Sequence, residues 1–125
     1  IKMPLCDNPV YIHEPTPLQC GQAVLAMLTG KTAEKIVALT GTERETTLKD
    51  MFSLLEKEKI AFSRERRQAE TKSDLPEICV LSLETPRCWH WSLYYKGKFL
   101  DPEHGVLDDF PVCDRKYFWE IKTDG

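Results

Sequence analysis

The chain is 125 residues long, 42% apolar and 30% charged, with a formal net charge of −3. That is the length of one domain, which buries about two thirds of the surface its unfolded form exposes and needs neither disulfides nor metal to hold a core. The charge excludes a nucleic-acid surface, which requires clustered Lys and Arg; the one basic run, Arg64 to Arg67, is short, contains Glu65 and reads as a solvated loop or strand end.

In chain order, the first element lies in PTPLQCGQAVLAMLTG. From Cys20 to Thr29, the residues Ala23, Leu25, Ala26, Met27 and Leu28 make a helix apolar nearly all round, which predicts burial, and Gly30 stops it. Thr32 caps a short helix through Leu39, with Gly41 after it. Thr47 and Asp50 form a capping-box pattern, and Leu48, Met51, Phe52, Leu54 and Leu55 give the next helix one apolar stripe. The polar run from Glu65 to Pro76 reads as a loop. Strands are expected at Ile60–Ser63, Ile78–Leu83, Cys88–Tyr95, Lys98–Asp101 and Tyr117–Lys122. Helices first and strands second predict a single α+β domain over 1–125, with N-terminal helices packed on a C-terminal antiparallel sheet.

The five cysteines, Cys6, Cys20, Cys79, Cys88 and Cys113, are widely spaced and include no C-x-x-C pair. No structural zinc site, other metal or cofactor is expected from them, and free thiols fit a reducing cytoplasm. Burial or incidental exposure accounts for Cys6, Cys79 and Cys113, and packing for Cys88. No apolar run approaches the roughly 18 residues of a membrane span, so no membrane contact is expected within this chain. The first residue is Ile1 rather than Met, which suggests a fragment of a larger protein.

The chemistry-bearing stretch is CWHWSLYYKGKFLDPEHG. Trp89, Trp91, Leu93 and Tyr95 alternate with His90, Ser92 and Tyr94, the period of a strand; the two tryptophans read as core. A two-residue turn at Lys96-Gly97 pairs Tyr95 with Lys98, Tyr94 with Phe99, Leu93 with Leu100 and Ser92 with Asp101. His90 and Asp101 then share one face as diagonal neighbours, within reach of an imidazole and a carboxylate. A one-residue slip turns Asp101 to the other face. Cys20, at a helix start, sits where the partial positive charge of the helix favours a thiolate. A neighbouring His with a carboxylate behind it completes the layout of nucleophilic acyl transfer. His104, in a turn, reads as a surface residue, and no strand presents His13.

CGQAVLAMLTGK resembles the nucleophile helix of papain-like cysteine peptidases of the bacteriocin-processing type, which cut leader peptides after a double glycine. The resemblance continues through GTERETTLKDMFSLLEKEKIAF, through LPEICVLSLETPRCWHWSLYY, and to the Asp-Pro of FLDPEHG, covering about Thr16 to Gly105 in order. It implies the papain-like fold and a catalytic triad of Cys20, His90 and Asp101. In it Cys20 is the nucleophile, His90 the general base and acid, and Asp101 the residue that orients His90. The family carries an oxyanion-hole glutamine six residues before its cysteine, where this chain has Glu14. Glu14 is one oxyanion-hole candidate by position, but an ionised carboxylate there repels an oxyanion, so Gln19, directly before the nucleophile, is the other candidate, with backbone amides as a further source.

The resemblance thus implies a bacterial thiol protease acting on a peptide or protein substrate through a thioacyl intermediate, without cofactor. Two alternatives stay open. The same triad serves glutamine deamidation or transacylation in effector or toxin domains, which are delivered to another cell's cytoplasm. A degenerate peptidase that binds a peptide without cutting it is the other, kept alive by Glu14.

Overall fold

The computed structural model describes residues 9–122. Cys6 lies outside the described residues. Three helices come first: α1 (Cys20–Thr29), α2 (Ala33–Thr40) and α3 (Leu48–Lys57). The strands follow: β1 (Arg67–Gln68), β2 (Ile78–Glu84), β3 (Trp89–Tyr95), β4 (Lys98–Asp101), β5 (Gly105–Leu107) and β6 (Lys116–Glu120). They form one antiparallel sheet in the order β1-β6-β2-β3-β4-β5.

The helix boundaries follow their caps. Thr32 accepts a hydrogen bond from the Lys35 N–H at the start of α2. At α3, Thr47 Oγ1 accepts from the Asp50 N–H at 3.2 Å while the Asp50 carboxylate accepts from the Thr47 N–H at 2.9 Å, satisfying two end donors reciprocally. Every residue of α1 from Cys20 to Leu28 is buried, as its all-round apolar pattern predicts. α3 buries Met51, Leu54 and Leu55 and turns Leu48 outward.

The sheet has a core on each face. Ile78, Val80, Leu93 and Leu100 pack with the helices. Cys79, Leu81, Leu83, Tyr94, Phe99 and Phe118 form a second cluster, with Leu75, Leu107 and Phe110 packed against it. Alternation along β2 produces this division, since successive strand residues point to opposite faces.

The structure departs from the expected strands in four places. Ile60–Ser63 runs beside the end of β6 through Ser63 N–H to Glu120 O and Lys122 N–H to Ala61 O, yet its ladder is a single bridge, Phe62 to Ile121. β1 lies inside the segment expected to be a loop, and β5 was not expected at all. Both are short edge strands held by backbone pairing, and such pairing leaves no hydrophobic alternation to read. Trp89 is 47% exposed and stacks on Tyr117 instead of entering the core.

The β3–β4 hairpin has the expected register: Tyr95 pairs with Lys98, Tyr94 with Phe99 and Leu93 with Leu100. Lys96 and Gly97 both take positive φ, 45° and 92°, the conformation a tight two-residue turn needs to match the twist of its strands.

Candidate active site

Three segments meet at one end of the sheet. The N-terminus of α1 supplies Cys20, β3 supplies His90, and the end of β4 supplies Asp101. Cys20 Sγ accepts a hydrogen bond from the Trp91 N–H at 3.4 Å, which docks the helix start against the strand next to His90. Gly21 allows this approach. A Cβ on it would stand 1.8 Å from Thr46 Oγ1 and 3.1 Å from Trp91 Cδ1, so a side chain there requires Thr46 to shift.

The two glutamines around the Cys-Gly pair hold the loop between α2 and α3. Gln19 Nε2 donates to Glu43 O at 2.9 Å, and Gln22 Nε2 donates to Thr42 O and Arg44 O at 3.1 and 2.7 Å. Trp91 Nε1 donates to Thr46 O from the other side. Gln19, one of the two oxyanion-hole candidates, therefore has its amide on a loop carbonyl.

Asp101 is fully buried and His90 is 4% exposed. His90 Nε2 lies 2.9 Å from Asp101 Oδ1, and Ser92 Oγ donates to Asp101 Oδ2 at 2.9 Å. The carboxylate accepts, so Nε2 carries the proton and the other ring nitrogen is left for Cys20. The turn after β4 adds donors: the Glu103 and His104 N–H groups each reach Asp101 Oδ1 at 3.0 Å, as does His104 Nδ1. Tyr11 Oη donates to the backbone carbonyl of Asp101 at 2.6 Å.

Burial opposes a charge on His90, but hydrogen bonds and charges from Asp101 and Cys20 outweigh it and hold the imidazole at about 10. Burial also works against the Asp101 carboxylate. Hydrogen bonds from His90, His104 and Ser92, with the His90 charge, bring it down to about 2. The pair is therefore ionic across neutral pH.

Glu14 stands at the same place. Its N–H donates to Pro102 O at 2.9 Å, which fixes the N-terminal segment beside the Asp101 turn. Ligand atoms of Glu14, Cys20 and His90 lie within 4.8 Å of one another, as do those of His90, Glu103 and His104. Such spacing recurs wherever ionisable side chains line a cleft and does not by itself make them metal ligands. A cleft of about 240 Å³ opens over Cys20, His90 and Glu14, with Leu18 and Trp89 on its apolar rim and Arg87 beside Glu103. Arg87 and Glu103 pair at 2.9 Å.

The structure brings Cys20, His90, Asp101 and Glu14 together and turns Gln19 away. It also adds Ser92, His104 and Tyr11, to which the sequence reading gave no part. His104 was legible in principle, because an Asp followed by Pro is a turn-forming pattern that brings the backbone two and three residues on to the carboxylate. Cys88 is exposed and lines the cleft, so it does not serve as packing; Cys79 is buried and Cys113 half-buried. Burial pushes the Cys79 thiol up, away from reactivity. Among the described residues no helix is long and apolar enough to cross a membrane. No protein-family model matches this chain, and no curated protein matches it.

Proposed function

We propose that the chain is a papain-like cysteine hydrolase that opens a peptide or related amide bond through Cys20. The observation that carries this reading is the placement of His90: Nε2 is held by Asp101 at 2.9 Å, and a ring nitrogen lies within 4.8 Å of the Cys20 sulfur. These residues come from α1, β3 and β4, and a packing role requires none of this alignment.

The chemistry follows from the charges. The Cys20 thiolate attacks the amide carbonyl carbon, and the carbonyl π pair moves to oxygen. Collapse of the tetrahedral adduct expels the amine, which takes its proton from His90. This leaves a thioester on Cys20 and a neutral imidazole. His90 then removes a proton from water as that water attacks the thioester. Cys20 departs as thiolate, and His90 is again protonated beside it. Asp101 positions the imidazole and stabilises its charged form throughout. With an amine replacing water the same acyl-enzyme supports transacylation, and with a glutamine side chain as the amide it supports deamidation.

The test is selective labelling with an iodoacetamide probe, followed by mass spectrometry of a mixed peptide pool, in wild type and Cys20→Ser. New chain termini that require Cys20 support peptide cleavage. Glutamine converted to glutamate in chains of unchanged length favours the deamidase. No preferential labelling of Cys20 and no product that depends on it overturns the hydrolase reading in favour of a peptide-binding module.

A further inference from the structure

Glu14 is 7% exposed, and its Oε1 has no hydrogen-bond partner among the described residues. A buried carboxyl oxygen without a partner is costly, more so when ionised, and such a group calls for a ligand. A carboxylate oxygen of Glu14 lies within 4.8 Å of the Cys20 sulfur and a His90 ring nitrogen, and the residue lines the cleft over them. α1 begins at Cys20, and the first N–H groups of a helix have no intrahelical acceptor. A carbonyl oxygen attacked by Cys20 is therefore within the province of one backbone donor and one carboxyl group. Gln19, the other side chain considered for this role, spends its amide on Glu43 O.

Resting on the hydrolase reading above, we propose that Glu14 works as a neutral carboxylic acid whose O–H donates to the substrate oxyanion, so that transition-state stabilisation switches off when Glu14 ionises. The electron pair of the carbonyl moves to oxygen as the Cys20–carbon bond forms, and the Glu14 O–H hydrogen-bonds that oxygen without giving up its proton.

The surroundings favour the protonated form. Burial raises Glu14 above the ordinary carboxyl range, and the Glu103 and Asp101 charges push the same way, against His90 and His13. Glu45 and Arg87 line the same cleft, with Arg87 paired to Glu103. The sign is therefore definite. Donation is present at low pH and is lost as pH rises through the Glu14 value, while His90 keeps its charge until about 10.

Two reactions of the same sulfur separate this effect from thiol reactivity. Acylation by 4-nitrophenyl acetate passes through an oxyanion; alkylation by iodoacetamide does not. The ratio of the two rates at Cys20, followed by mass spectrometry from mildly acidic to mildly alkaline pH, cancels the thiolate fraction. In wild type the ratio should fall as pH rises, and in Glu14→Gln it should be independent of pH. In Glu14→Ala it should be low throughout, by on the order of 10²-fold. A wild-type ratio that is flat with pH and equal to that of Glu14→Ala overturns the proposal. If Glu14→Ala does not fold, a wild-type profile that coincides with that of Glu14→Gln overturns it equally. Failure of the underlying reading looks different: Cys20 then reacts no faster than free cysteine with either reagent in every variant.

Discussion

Asp101 is the most heavily used side chain in the described structure, accepting from His90, Ser92, His104 and two backbone amides of its own turn. Asp101→Asn keeps its shape but loses the charge that holds His90 protonated. Iodoacetamide alkylation of Cys20 at neutral pH should then slow toward the rate of a free thiol, and acyl transfer should fall by several powers of ten by analogy with the serine triad. Asp108→Asn should change neither, since Asp108 is a surface partner of Lys98 and exposed pairs contribute little. An active Asp101→Asn beside an inactive Asp108→Asn would reverse the assignment. The same pair sets a pH window for stability. The raised His90 contributes fully below its unfolded value of about 6.5, and its contribution is lost as pH rises through about 10. The lowered Asp101 contributes fully above about 3.9 and is lost as pH falls through about 2. Thermal melts should show both contributions between roughly pH 4 and 6.5, and Asp101→Asn should lack the acid limb.

At the scale of elements, the Cys-Gly pair at the start of α1 is explained by packing. Gly21 lets the helix meet the Thr46 loop and Trp91 with no side chain between them. Gly21→Ala forces Thr46 and its loop aside. The loop is already clamped by Gln19, Gln22 and Trp91, so the strain falls on the placement of Cys20. We expect a loss of about 1–3 kcal/mol in urea unfolding, the usual cost of overpacking, with slower Cys20 alkylation. An alanine variant as stable and as reactive as wild type would mean that the loop moves freely. Gln19→Ala should loosen the loop while leaving the ratio of acylation to alkylation intact, because its amide donates to Glu43 O and not into the cleft.

At the scale of the molecule, α1 is the shared wall of helix layer and sheet. Leu25 is fully buried in the cluster that joins the helices to β2, β3 and β4. Leu25→Ala should cost about 2–5 kcal/mol and lower the melting temperature with a single transition kept, because both layers share that core. Two separated transitions would show that the layers unfold independently. The N-terminal segment ties across this body: Tyr11 reaches the Asp101 carbonyl and the Glu14 N–H reaches Pro102. It thereby holds the Asp101 turn and Glu14 together, from positions far from Asp101 in sequence.

Local patterns were enough to read the helices, their caps, the central strands and the β3–β4 register, because each rests on neighbours in sequence: period, turn residues and end donors. The register carried His90 and Asp101 to one face, so half of the candidate site was legible before any fold was known. What the chain alone left open was settled by contacts between distant segments. On paper the charge of Glu14 counted against it and Gln19 stood as its substitute, and only tertiary packing turns the Gln19 amide to a loop carbonyl and leaves Glu14 buried beside Cys20. Tyr11 joins Asp101 for the same reason, whereas Ser92 and His104 reach it through the hairpin register and the turn after β4. The edge strands β1 and β5 were invisible because backbone pairing, not side-chain pattern, makes them. Burial and charge shifts arise only when such segments meet, since desolvation belongs to the folded surroundings and not to the residue.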